Sequence, residues 1–119
     1  MALNSFADVK VFFNQIMNAD GVRAGLPGSP HHDFWNTLSY TQFTTGNVPG
    51  AGSVDPNTGN PISILVIGNS GASNIIAALQ GTGPIFGPAG IGRMPAGFPA
   101  FTGVQIAELA DWIDRGCPQ

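Results

Sequence analysis

A mainly α fold follows from three features of this sequence. Amphipathic stripes with clear start and stop signals lie near both ends. Strand-like alternation is confined to one short segment, and 17 glycines and 10 prolines cut the rest into short pieces. At 119 residues the chain suits a single domain built on one core.

The elements follow in order. Ser5 with Asp8 marks a helix start, and Val9, Phe12, Phe13, Ile16 and Met17 then share one face. A helix is therefore predicted over residues 6–18, closed by Asp20-Gly21. Residues 21–30 carry Gly21, Gly25, Pro27, Gly28 and Pro30 and read as loop. His31-His32-Asp33-Phe34-Trp35-Asn36 follows as the densest cluster of chemically informative side chains. Ser39 with Gln42 forms a capping box, so one or two helical turns are expected over residues 39–45, ending at Gly46.

Residues 46–61 are rich in Gly, Pro, Asn and Asp without periodicity, which predicts an exposed excursion. Residues 61–67 are β-branched and weakly alternating, as in a short extended segment. Ser73 is expected to cap a helix reaching about Leu79 and stopped by Gly81. Residues 81–92 then read as a glycine- and proline-rich loop leading to Met94. The last helix is the best marked. Thr102 with Gln105 is a capping box, Ile106, Leu109, Ala110 and Ile113 form the stripe, and Gly116 and Pro118 stop it.

Composition narrows the function classes. Charged residues make up 9% of the chain against about 25% in an average protein. So sparse a charge leaves association with a partner or a second copy open. Lys10, Arg23, Arg93 and Arg115 are scattered in a chain of net charge −3, which excludes a nucleic-acid surface. No apolar run is long enough for a membrane span. No basic stretch followed by an apolar one marks a leader, so a cytoplasmic location is expected if the chain is complete. Removal of a leader would place it in the periplasm or outside the cell. Cys117 is the only cysteine, so an internal disulfide is impossible, and a thiol so near the end is expected to be free and mobile.

Arg93-Met94-Pro95, a Gly/Pro spacer, a capped helix and then Trp112-Ile113 with Gly116-Cys117-Pro118 resemble the C-terminal half of small class I c-type cytochromes. The nearest variety is the domain found in large exported bacterial proteins. Ser73 through Leu79 and Phe6 through Val9 are similar, more faintly, to two further helices of that family. The resemblance implies a cytochrome c-like fold, with N- and C-terminal helices packed together and short helices and long loops between. It also implies that Met94 stands where the family has its distal haem ligand. The family's Cys-x-x-Cys-His is missing, and one cysteine cannot form two thioethers, so covalent haem is ruled out.

Three readings of function follow. In the first, the domain is a binding module. On the resemblance, Phe34, Trp35, Tyr40, Phe43, Phe86, Phe98 and Phe101 lie in segments that would surround the space a haem would leave. Either they fill it, since a cavity that large would be ruinous, or they line a smaller pocket with His31, His32, Asp33 and Arg93 at its mouth. Such a pocket would hold a small apolar ligand or a metal, or support a partner protein's surface. In the second, His31 or His32 and Met94 ligate copper or a non-covalent haem, and the domain carries electrons. In the third, His31, His32 and Asp33 do acid–base work in a small cyclase, isomerase or hydratase. Against these stand plainer roles: Met94 as a flexible gap-filler, and one histidine exposed while the other bonds to backbone. Asp111 and Asp114 read as solvated charges on the last helix. Gly68-Asn69-Ser70-Gly71-Ala72 lacks the final glycine of a nucleophile elbow, and the glycines of residues 81–87 have the wrong spacing for a dinucleotide loop.

Overall fold

The computed structural model describes residues 2–19, 32–50, 53–87, 92–94 and 101–119. Of these, 53% are helical and none belongs to a strand, so the fold is mainly α. Helix α1 spans Phe6–Ala19. The Asp8 N–H donates to Ser5 Oγ at 3.1 Å, and the Asp8 carboxylate accepts from the Asn4 N–H at 2.9 Å. The first of these bonds satisfies a donor that a helix start leaves open. Phe6, Val9, Phe12, Phe13, Ile16 and Met17 are all buried, as the apolar stripe requires.

Phe34–Thr37 forms one turn of helix, α2, inside a cluster that carries no helix signal. Asp33 stands at its N-cap but makes no side-chain cap bond. Burial of Phe34 and Trp35 against α1 supplies what local signals do not. α3, Tyr40–Thr45, has the complete Ser39–Gln42 capping box and ends at Gly46. The following chain pairs loosely with residues 61–64. Val48 N–H donates to the Ile62 carbonyl at 2.8 Å, and Ile64 N–H donates to Gly46 at 3.2 Å. Only isolated bridges result among the described residues, Asn47 with Ser63 and Val54 with Pro61. The segment is extended as expected, with Ile62, Ile64 and Leu65 buried.

A 3₁₀ turn over Ser70–Ala72 then leads to α4, Asn74–Gln80. Three side chains depart from the sequence expectation. Ser73 does not cap α4. Its hydroxyl donates to the Asn69 carbonyl at 2.8 Å and accepts from the Val66 N–H at 2.9 Å, closing the turn instead. Asp114 is not a merely solvated charge: its carboxylate accepts from the Ser70 N–H and hydroxyl, both at 2.8 Å. Asp111 is likewise engaged, by Arg115 at 2.8 Å. Gly81 ends α4 in the left-handed conformation, φ +71°. A further turn of helix, α5 (Gly83–Phe86), lies within the stretch that reads as loop in the sequence. Pro84 stands in its first turn, where a preset φ helps and a missing N–H costs nothing.

α6, Gly103–Asp114, has the predicted Thr102–Gln105 capping box and buries Leu109, Trp112 and Ile113. Gly116, at φ +90°, turns the chain away. Cys117 then departs from expectation, because it is fully buried and held rather than mobile. Its N–H donates to the Trp112 carbonyl at 3.0 Å, and the Tyr40 hydroxyl donates to its own carbonyl. The Trp112 indole donates to the Pro118 carbonyl at 2.9 Å. The C-terminal residues are thus folded back over Trp112 and tied to α3.

The two end helices share one hydrophobic core. α1 packs on α2, α4 on α6, and α6 on the 3₁₀ turn. Phe101, just before α6, joins the ends by packing on Phe12 and Phe13, with ring centroids 6.0 and 5.8 Å apart. Arg115 adds a hydrogen bond to the Leu3 carbonyl.

Candidate functional site

The aromatics expected around a pocket mostly pack on one another. Phe13 stacks on Trp35 at 5.1 Å, Trp35 meets Phe34 edge-on at 5.6 Å, and Phe34 stacks on Phe43 at 5.9 Å. Phe43, fully buried, reaches Phe6 at 5.1 Å and Trp112 at 6.4 Å. Phe101 extends the series through Phe13. Each aromatic buries roughly 150–250 Å² and offset or edge-on pairs add to that. Among the described residues, Phe34, Trp35 and Phe43 therefore serve as core. Tyr40 packs edge-on to Phe6 at 5.8 Å while its hydroxyl anchors the C-terminus. Phe86 is buried within α5. Phe98 lies outside the described residues.

His31 also lies outside them. His32 is exposed and adopts φ +49°, a conformation uncommon for a residue with a side chain. Asp33 is half-buried and accepts a hydrogen bond from the Asn36 amide at 3.0 Å. Asn36 in turn donates to Asn14 Oδ1 at 2.9 Å and accepts from Asn14 Nδ2 at 3.0 Å. The Trp35 indole donates to the same Asn14 oxygen at 2.9 Å. This network fastens α2 to α1 and satisfies the indole as it is buried. Asn14 belongs to no motif that sequence reasoning recognises. Its one signal there is its position, an amide beside the buried stripe of α1.

Met94 is half-buried, and its N–H donates to the Ala78 carbonyl at 2.8 Å. That bond fixes the Arg93-Met94 segment against α4. Among the described residues no group of three or more His, Cys, Asp or Glu side chains converges to hold a metal ion. No described helix is long and apolar enough to cross a membrane. Burial pushes the Cys117 thiol up to about 11, with a backbone hydrogen bond from Gly68 acting in the opposite direction. A thiol so placed is a poor nucleophile and a poor metal ligand near neutral pH.

Among the described residues, an open cleft lies between the end of α4 and the first half of α6. It has a volume of about 460 Å³. Leu79, Phe101, Ile106, Ala107 and Ala110 give it an apolar lining, Gly103 lies at the start of α6, and Gln80 and Arg93 are its polar side chains. Of the ligand-lining residues expected from the sequence, Arg93 and Phe101 meet here. The stripe of α6 is not core throughout. Its two inner positions, Leu109 and Ile113, are core, whereas Ile106 and Ala110 are only partly covered. Alanines at 107 and 110 are too short to fill the space opposite, and that shortness is the one trace of the cavity in the sequence.

Gly81 explains how Arg93 comes so close. A Cβ at Gly81 would lie 2.7 Å from Arg93 Cβ, inside any real contact. One glycine thus ends α4 and admits the segment that carries the guanidinium. Comparison with family models, with curated proteins and with solved structures finds no match to this chain.

Proposed function

We propose that the chain is a binding domain of cytochrome c-like build without haem, and that its site is the cleft between α4, α6 and the Arg93-Met94 segment. The observation that carries this reading is the cleft itself. It has about 460 Å³ of space and a mainly apolar lining with a few polar groups, within the range of about 300–1,000 Å³ usual for small-molecule sites. The packed aromatic series from Phe101 to Trp112 supports the same reading, because among the described residues those rings fill the core and Phe101 alone of them lines the cleft. The resemblance of residues 93–118 to the c-type cytochromes supports the architecture, with Met94 in the loop that faces the cofactor in that family. The ligand is a small molecule whose apolar body lies in the cleft.

The test is an absorption spectrum with elemental analysis on protein purified without a histidine tag, followed by titration with octan-1-ol. Colourless, metal-free, folded protein whose Ile106 and Ala107 methyl resonances shift on titration is the expected result. A Soret band or stoichiometric copper would replace the proposal with the electron-carrier reading through His31 or His32 and Met94. An absence of methyl shifts would remove the cleft as the site.

A further inference from the structure

Resting on the cleft reading above, we infer that the ligand is a small amphipathic monocarboxylate, with its hydrocarbon body against α6 and its carboxylate at Arg93. Among the described residues, the lining holds one charged side chain, Arg93, and no carboxylate. That bias is set in a chain of net charge −3 with only four basic residues. Two of the other three lie away from the cleft: the Lys10 ammonium sits 4.7 Å over the Phe6 ring, and Arg115 engages Asp111 and the Leu3 carbonyl. Arg93 is brought to the cleft by two backbone devices, the Gly81 turn that admits it and the Met94–Ala78 hydrogen bond beside it.

A guanidinium matches a carboxylate in plane and spacing. With five N–H donors, it can keep an interaction within the protein and still receive a ligand oxygen. The Gln80 amide, at the same end of α4, can donate to the second oxygen. Leu79, Ile106, Ala107 and Ala110 supply apolar area for the hydrocarbon body but no recognition of shape. A straight-chain acid is therefore a fair probe.

The experiment compares octanoate with octan-1-ol, two molecules sharing a chain and differing in head group, by chemical-shift titration of the full protein. Because Arg93 is exposed, the carboxylate advantage is modest, about three- to fivefold. It should shrink as salt rises from about 0.05 to about 0.5 M while octan-1-ol binding does not. Arg93→Gln should bring octanoate down to the affinity of octan-1-ol and leave the alcohol unchanged. Ala107→Trp, at an exposed lining position, should weaken both. Equal binding of acid and alcohol, or an Arg93→Gln variant that binds octanoate as before, would overturn the inference and leave the cleft reading intact. Failure of both probes to bind, or indifference of both to Ala107→Trp, would overturn the cleft reading and the inference with it.

Discussion

Gly81 is the position where fold and site depend on one missing side chain, and Gly81→Ala tests that dependence. Two costs add. Alanine at φ +71° is disfavoured by about 1 kcal/mol. In addition, its Cβ would meet Arg93 Cβ at 2.7 Å, where ordinary contact begins at 3.4 Å. Arg93 must therefore retreat by several tenths of an ångström. The Met94 N–H is bonded at 2.8 Å to Ala78, so the retreat stretches that bond, worth about 1 kcal/mol. A total loss of about 2 kcal/mol is expected, a sizeable share of the stability of a small domain. Gly59→Ala is the control. Gly59 has nearly the same conformation, φ +74°, but a Cβ there meets nothing within 4 Å. Urea unfolding of both variants separates the terms, since Gly59→Ala should lose only the backbone cost of about 1 kcal/mol. Equal losses in the two would refute the close-approach argument. So would a Gly81→Ala variant whose Arg93 and Met94 amide resonances stay where they are in the parent.

Two further outcomes are expected. Tyr40→Phe removes the hydroxyl that donates to the Cys117 carbonyl, and should cost about 1 kcal/mol in urea unfolding. It should also speed amide hydrogen exchange in residues 116–119, and unchanged exchange there would count against Tyr40 as the anchor. The Cys117 thiol, raised from 9.0 to about 11, binds its proton more tightly in the folded than in the unfolded chain. Its contribution is therefore complete below pH 9 and is lost as pH rises towards about 11, as urea midpoints for the parent and Cys117→Ala across that window should show.

What the sequence determined by itself is what neighbouring residues settle among themselves. The Ser39–Gln42 and Thr102–Gln105 capping boxes join residues three apart, and Gly81 ends α4 through its own backbone freedom. The apolar stripes of α1 and α6 are likewise carried within each helix. Hence the helices at both ends, the mainly α class and many of the core residues are legible in the order of the amino acids alone.

Tertiary structure decided whatever needed a partner far along the chain. Asp114 reaches Ser70 across 44 positions, and Tyr40 reaches Cys117 across 77. Those contacts turn an apparently solvated carboxylate into a support for the 3₁₀ turn, and an apparently loose C-terminus into a buried one. α2 is not legible in the sequence because burial of Phe34 and Trp35, not a cap, stabilises it. The choice between filled and open space was also tertiary. An aromatic side chain carries the same apolar surface in either case, and only the approach of other rings to Phe34 and Phe43 makes them core. The cleft came from the opposite circumstance: Ala110 fits the helix stripe in sequence, but its short side chain and that of Ala107 leave the space beside Arg93 and Phe101 unfilled.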